Sequence, residues 1–247
     1  MHLQFLGTSG SSITSTRSSP SILIDEDLLL DVGEGTTQKL LQIDKFKSIK
    51  KILISHLHVD HFIGLFSLLW KKWLTGSRTP LKIYGPPEID STIPQILALG
   101  NTPTDAFSFQ IQYIPLDPAD SIIKIDEIST TRVLHPAYTL GFRVDRDKSI
   151  CYSSDTAPLD RMISLAKNCD VLIHDSSYPS QFAEVAHKYH HSTPRDAATI
   201  ASKAGVKKLV LFHILGEIAD YTSFAQEARS IFGGEVILAQ DMGQLDF

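Results

Sequence analysis

The segment Ser55-His56-Leu57-His58-Val59-Asp60-His61 places three imidazoles and one carboxylate within its last six residues. It follows the apolar stretch Ile52–Ile54, which predicts a loop at the end of a buried strand. Burying these polar groups together is unfavourable unless a cation organises them. The alternative interpretation is a solvated, histidine-rich loop. The spacing divides the ligands into two sets, with His56 and His58 for one ion and Asp60 and His61 for another. Neutral imidazole and carboxylate suit zinc in an open catalytic site, so we expect a metal centre here.

Composition narrows the class of protein. The 247 residues are 43% hydrophobic and 21% charged, which allows a sizeable core without disulfides. Cys151 and Cys169 are too few for a disulfide framework and are not spaced as a C-x-x-C site, so we expect reduced thiols and a cytoplasmic protein. No apolar run reaches the roughly 18–20 residues of a membrane-spanning helix, and Met1–Gly10 does not resemble a signal peptide. The net charge of −5 disfavours broad, non-specific nucleic-acid binding.

The predicted elements follow the order β-rich, α/β, β-rich, α/β, which favours two mixed sheets packed face to face with helices outside. Residues 1–247 are predicted to form a single domain. The clearest helix is Pro194–Ala204, with Thr193 as its N-cap and Asp196 completing a capping box. The cationic residues Arg17, Lys71 and Lys72 are expected at the solvated surface.

The H-x-H-x-D-H segment resembles the metallo-β-lactamase superfamily, whose members carry this motif on such a loop. The resemblance implies an α/β fold, a four-layer αββα sandwich with metals at one edge. It also implies three further ligands at strand ends, since His135 matches the third ligand of the first metal, Asp155 the bridging carboxylate and His213 the last ligand of the second metal. The metal ligands implied by the family are then complete: His56, His58, Asp60, His61, His135, Asp155 and His213.

Two divalent ions in such a site can share a hydroxide and make it a nucleophile at neutral pH. His58, where another branch of the superfamily has Glu, favours the hydrolytic zinc-type branch. We therefore expect two Zn²⁺ per chain, with Mn²⁺ or Fe²⁺ as alternatives. Asp60 is expected to orient or deprotonate the nucleophile in addition to binding metal.

Within the superfamily the chain resembles the ribonuclease Z-like group. Phe5–Gly10 matches its F-L-G-T-G start, with Ser9 in place of a glycine, and Asp31–Thr36 matches its D-x-G-E-G-T. His191-Ser192-Thr193 matches its H-S-T loop, so the resemblance implies that His191 acts catalytically near the scissile phosphate. Asp175 lies where the group has Glu and is expected to orient His191 by a hydrogen bond.

One feature departs from ribonuclease Z, which carries a long tRNA-clamping arm between the strand after the third-ligand His and the strand before the bridging Asp. Here that interval is Gly141–Ile150, ten residues that predict a hairpin turn. The short interval and the negative charge favour a phosphodiesterase acting on small or nucleotide phosphodiesters. The alternatives are tRNA 3′-end processing by a ribonuclease Z, a lactonase, thioesterase or arylsulfatase on the same site, and a non-enzymatic metal-bound binding module. Members of the group often form homodimers, so the oligomeric state stays open.

Overall fold

The computed structural model describes residues 1–216 and 222–247. Its helices are α1 Thr36–Gln42, α2 Val59–Phe62, α3 Gly64–Leu74, α4 Ile89–Leu99, α5 Asp160–Leu165, α6 Ala183–Lys188, α7 Pro194–Ala204 and α8 Thr222–Arg229. Its strands are β1 His2–Gly7, β2 Ser21–Ile24, β3 Leu28–Leu30, β4 Lys51–Leu53, β5 Leu81–Gly85, β6 Ile111–Pro115, β7 Ile123–Ile125, β8 Ile128–Arg132, β9 Leu140–Asp145, β10 Ser149–Tyr152, β11 Val171–Asp175, β12 Lys208–Phe212, β13 Glu235–Leu238 and β14 Gln244–Asp246.

In the described part of the chain these strands form two mixed sheets of seven strands each. The first has the order β14-β1-β2-β3-β4-β5-β6, antiparallel as far as β3 and parallel from β3 to β6. The second has the order β13-β12-β11-β10-β9-β8-β7, parallel from β13 to β10 and antiparallel beyond. In each sheet the parallel strands bring loops at their carboxyl ends to one edge.

The side chains along the strands alternate between two hydrophobic clusters, and this alternation produces the layers of the fold. On β12, Val210 and Phe212 pack into the core between the two sheets, whereas Leu209 and Leu211 pack against the helices of the second sheet. A third cluster joins the first sheet to α1, α3 and α4. Because side chains alternate between the faces of a strand, each sheet presents one face to the other sheet and one to helices. The expected four-layer αββα sandwich is confirmed.

The predicted helix Pro194–Ala204 is confirmed with its cap. The Thr193 hydroxyl accepts from the backbone N–H of Asp196, and the Asp196 carboxylate accepts from the backbone N–H of Thr193 at 3.0 Å. This reciprocal pair fixes the turn that carries His191 and Ser192. The predicted turn between Gly141 and Ile150 is also confirmed, because β9 and β10 pair directly as an antiparallel hairpin.

The surface placement of two cationic residues was wrong. Lys72 is fully buried, because it falls on the same face of α3 as Leu65, Leu68 and Leu69 at helical spacing. Arg17 is also buried, where its guanidinium donates to the Thr8 hydroxyl at 2.7 Å and to a backbone carbonyl. Neither side chain is therefore a solvated surface charge. Over residues 1–216 and 222–247, no helix is long and apolar enough to cross a membrane.

Candidate metal centre and active site

All the predicted metal ligands lie beyond the carboxyl ends of strands and converge at one edge of the sandwich. The segment from His56 to His61 follows β4, His135 follows β8, Asp155 follows β10 and His213 follows β12. Their side chains form two clusters in which the nitrogen and oxygen atoms lie within 4.8 Å of one another. The structure thus brings together residues that are up to about 150 positions apart in the sequence, as His61 and His213 are.

The first cluster contains His56, His58 and His135. Nε2 of His135 lies 3.2 Å from Nδ1 of His58. The other nitrogens are held from outside, since Nδ1 of His135 donates to the carbonyl of His190 at 3.2 Å and Nδ1 of His56 contacts the Ser55 hydroxyl at 3.0 Å. These contacts leave Nε2 of His56 and Nε2 of His135 free to face the cluster.

The second cluster contains Asp60, His61, Asp155 and His213. Nε2 of His61 lies 3.3 Å from Asp60 Oδ2, 3.3 Å from Asp155 Oδ1 and 3.3 Å from Nε2 of His213. Nε2 of His213 lies 3.2 Å from Asp155 Oδ2 and 3.5 Å from Asp60 Oδ2. Ligands at the usual zinc distance of about 2.1 Å in a tetrahedron are separated by roughly 3.4 Å, so these atoms are spaced as one coordination shell would require.

Buried polar atoms that lack a hydrogen-bond partner test whether the site fits a cation. His56 Nε2 and Asp155 Oδ1 are buried without a hydrogen bond. Asp155 also lies between the clusters, with Oδ2 3.9 Å from His56 Nε2 and 3.2 Å from His213 Nε2. A carboxylate buried in this way is unfavourable unless positive charge compensates it. The residues therefore fit two divalent cations that share Asp155.

Electrostatics at the centre agree with this fit. Burial lowers the pKa of His56 well below its usual value, and that of His135 to about 4, so both rings are neutral and able to bind metal. Burial also lowers the pKa of His61, but the carboxylates of Asp155 and Asp31 outweigh it and raise that pKa overall. The carboxylates thus hold a proton on His61 that a bound cation would displace.

Asp31 supports the second cluster, a role that the sequence motif did not reveal. Its buried carboxylate accepts from Nδ1 of His61 at 2.8 Å, from the Ser55 hydroxyl at 2.9 Å and from the Tyr152 hydroxyl at 2.9 Å. It also accepts from the backbone N–H of Ser55 at 2.7 Å. The bond to Nδ1 fixes the tautomer in which Nε2 of His61 faces the cluster. A carboxylate directly after strand β3 was the signal that could have identified it.

His191 and Asp175 form a pair beside the second cluster, as the sequence predicted. Nδ1 of His191 lies 2.8 Å from Asp175 Oδ2, and its ring stacks on that of His213 with centroids 5.4 Å apart. Burial lowers the pKa of His191, but the Asp175 carboxylate outweighs it and raises the pKa to about 9. Ser177, also unrecognised from the sequence, donates to Asp175 at 2.6 Å and contacts Nδ1 of His213 at 3.0 Å. His191 is thus protonated at neutral pH, with its ring stacked on a residue of the second cluster.

Left-handed backbone conformations cluster around this centre. Asp31, Ser154, His190 and His213 have φ values of 55°, 55°, 59° and 58°. Such residues are unusual unless they are Gly, and the surrounding structure must hold them in place. Each one turns the chain sharply just where a strand or helix delivers a side chain to the centre.

Comparisons with known proteins agree with the fold. A family model described as the Beta-lactamase superfamily domain matches residues 27–214. The Ribonuclease Z of Picrophilus torridus is 33% identical over 280 residues, which covers 93% of this chain and 91% of that relative. The Ribonuclease Z of Natronomonas pharaonis is 27% identical over 303 residues, covering 100% of this chain and 97% of the relative. Because that alignment is longer than the 247-residue chain, the relative contains segments that this chain lacks.

Among solved structures, human tRNase Z, short form, superposes with a TM-score of 0.83 at 28% identity and covers 100% of this chain and 99% of that one. The metallo-β-lactamase fold protein YhfI from Bacillus subtilis, at 21% identity, superposes with a TM-score of 0.82 over 99% of this chain and 98% of its own and shows the shared fold. The chain therefore belongs to the metallo-β-lactamase superfamily and is a metal-dependent hydrolase. Within that superfamily it is a ribonuclease Z-like hydrolase.

Proposed function

We propose that this protein hydrolyses phosphodiester bonds of RNA, with precursor tRNA as the first substrate to test. The observation that carries the proposal is the placement of the His191–Asp175 pair beside two ligand clusters that share Asp155. The relatives named Ribonuclease Z support RNA at least as well as the small diester that the sequence favoured. We assign the seven predicted residues as ligands of two metal ions, with Zn²⁺ as the first candidate.

Two divalent ions, when bound, would lower the pKa of water and neutralise charge on the phosphate. Asp60 would orient the attacking water or receive its proton; burial raises the pKa of its carboxyl, but the imidazole of His61 outweighs this and keeps it ionised. The water oxygen forms a bond to phosphorus as the bond to the leaving oxygen breaks. His191 gives that leaving oxygen its proton, and Asp175 keeps its ring oriented.

The second candidate is a small or nucleotide phosphodiester, and the β9–β10 hairpin favours it. The group resemblance implies a tRNA-clamping arm in this interval, but the two strands here are joined by a turn of three residues, 146–148. A chain without the arm has fewer means to hold a large folded RNA. Both candidates use the same metal centre, so they differ in the size of the substrate and share its bond chemistry.

The test compares cleavage of a 3′-extended tRNA precursor with hydrolysis of cyclic nucleotides and bis(p-nitrophenyl) phosphate by metal-analysed protein. A lactone, a thioester and an aryl sulfate serve as substrates of other classes. We expect diester turnover that depends on metal, with the ratio of precursor tRNA to cyclic nucleotide activity separating the two candidates. Turnover of another ester class alone would overturn the phosphodiesterase proposal.

Variants separate metal binding from proton donation. His191→Ala should lower kcat for a diester by about 10²–10⁴-fold and leave the metal content unchanged. Asp155→Asn should lower the metal content itself, because it removes the carboxylate shared by both clusters. His2→Ala is the matched control, since His2 is a partly exposed histidine that bonds Asp246 on the far strand pair β1–β14. If His191→Ala retained full turnover, the catalytic assignment would be wrong.

A further inference from the structure

A cavity of about 930 Å³ lies next to the metal centre. Its described walls include Ser12, Tyr178, Phe182, Val185, Leu215 and Glu227, and we call it the side cavity. Its volume lies within the range of sites that hold small molecules and is ample for a nucleoside. Neither the ligand clusters nor the His191–Asp175 pair uses this space.

The side cavity adjoins the His191 side of the centre through one of its lining residues, Tyr178. The ring of Tyr178 lies 6.2 Å from the ring of His191, centroid to centroid. Tyr178 follows Ser177, whose hydroxyl oxygen lies 3.0 Å from the His213 carbonyl oxygen. Leu215 belongs to the segment just after His213, and its N–H donates to the Ser177 carbonyl at 3.4 Å. A group attached to the oxygen protonated by His191 therefore has the side cavity directly beside it.

The lining residues of the side cavity determine which kind of chemical group it can bind. Tyr178, Phe182, Val185 and Leu215 are apolar or aromatic lining residues, and Phe182 is 49% exposed. Glu227 is the one formally charged side chain among the described lining residues, and its carboxylate accepts from the N–H of Ser180. Such walls repel a phosphate and favour an uncharged flat ring, because aromatic side chains stack on any nucleobase.

We propose that the side cavity binds the base of the nucleoside that leaves with the oxygen protonated by His191. This rests on the proposed function, because it places a nucleic-acid phosphodiester on the metal centre. Phe182 and Tyr178 would form the stacking surface, and the described lining residues include no cation that would hold a phosphate in the side cavity. The substrate class is thus a diester with an aromatic base on its leaving side.

The test uses two short RNA substrates that differ only at the leaving nucleoside, one with its base and one with an abasic ribose. Removing one stacking partner weakens base binding by roughly 5- to 150-fold. We expect Phe182→Ala to lower kcat/KM about tenfold on the base-containing RNA and less than about twofold on the abasic RNA. Phe182→Trp should retain the difference between the substrates. Tyr189→Ala is the matched control, because Tyr189 is an exposed aromatic outside the cavity lining.

Equal losses on both RNAs, or the same pattern in Tyr189→Ala, would overturn the proposal while leaving RNA cleavage intact. A second measurement is independent of hydrolysis, namely calorimetric binding of adenosine, with ribose as the control. We expect adenosine to bind and Phe182→Ala to raise its Kd by about fivefold or more. If RNA is not cleaved but adenosine binding still depends on Phe182, the proposed function falls and the cavity assignment stands. No difference between adenosine and ribose would overturn the cavity assignment.

Discussion

Asp31→Asn tests how the protein prepares its metal ligands. The substitution preserves side-chain shape, and Asn tolerates the left-handed backbone at this position, where φ is 55°. It replaces an acceptor-only carboxylate with an amide that keeps one acceptor and gains a donor. If the amide oxygen keeps the bond from the Ser55 N–H, its NH₂ group faces Nδ1 of His61. The ring must then switch tautomer, and the proton moves to Nε2, which faces the second cluster.

The expected magnitude follows from these bonds. An Nε2 that carries a proton cannot bind metal, so we expect metal affinity to fall by about 10–100-fold, the range seen when partners of metal ligands are removed. Three bonds to the other oxygen, from His61, Ser55 and Tyr152, are lost or reversed. At about 1 kcal/mol each, the free energy of unfolding should fall by roughly 3 kcal/mol.

The assay is competitive titration of the metal-free protein with Zn²⁺ against a chelating indicator, paired with urea unfolding. Tyr152→Phe is the matched control, because it removes one bond to Asp31 without touching His61. This control should lower stability by about 1 kcal/mol and leave metal affinity unchanged. A metal affinity for Asp31→Asn within about threefold of the parent would refute the tautomer argument.

Three further predictions concern stability. Chelation should lower Tm and added Zn²⁺ should restore it, because ligands that bind only the folded state stabilise it; an unchanged Tm on a scanning calorimeter would argue against bound metal. Burial without a hydrogen bond lowers the pKa of Lys72 from 10.5 to about 8, so the folded state binds fewer protons between these values and stability rises with pH there. Lys72→Met should therefore raise the free energy of unfolding at neutral pH by roughly 2–3 kcal/mol and abolish the increase of stability with pH. Urea unfolding at two pH values tests this prediction, and a variant less stable than the parent would contradict it. Thr193→Ala should lower the free energy of unfolding by about 1 kcal/mol in the same assay, whereas no loss of stability would mean that the N-cap of α7 is dispensable.

The ligand clusters could be predicted because the sequence from His56 to His61 carries the superfamily motif, and the resemblance implies three further ligands at strand ends. His135, Asp155 and His213 each follow a strand, and β10 and β12, which precede Asp155 and His213, both pair in parallel with β11 and so end at one edge of the sheet. The helix α7 could also be predicted from the sequence, since Thr193, Pro194 and Asp196 form a local helix-start pattern that needs no tertiary contact.

Other features depend on contacts that the sequence does not display. Asp31 becomes a partner of His61 only when β3 and β4 pair in parallel, which places the ends of both strands together. Lys72 looked like surface charge because its neighbour Lys71 is also cationic, yet its position on α3 lies on the buried face. The side cavity is lined by residues from distant parts of the sequence, such as Phe182 and Glu227, so no local sequence pattern predicts it.

We propose that this chain hydrolyses phosphodiesters with two bound metal ions and uses His191 as its proton donor. The most direct test measures metal content and bis(p-nitrophenyl) phosphate turnover on the same preparations of the parent protein and His191→Ala. We expect about two metal ions per chain in both proteins, with turnover lost on chelation and reduced by about 10²–10⁴-fold in His191→Ala. Diester turnover that survives complete metal removal, or that is equal in the two proteins, would contradict this proposal.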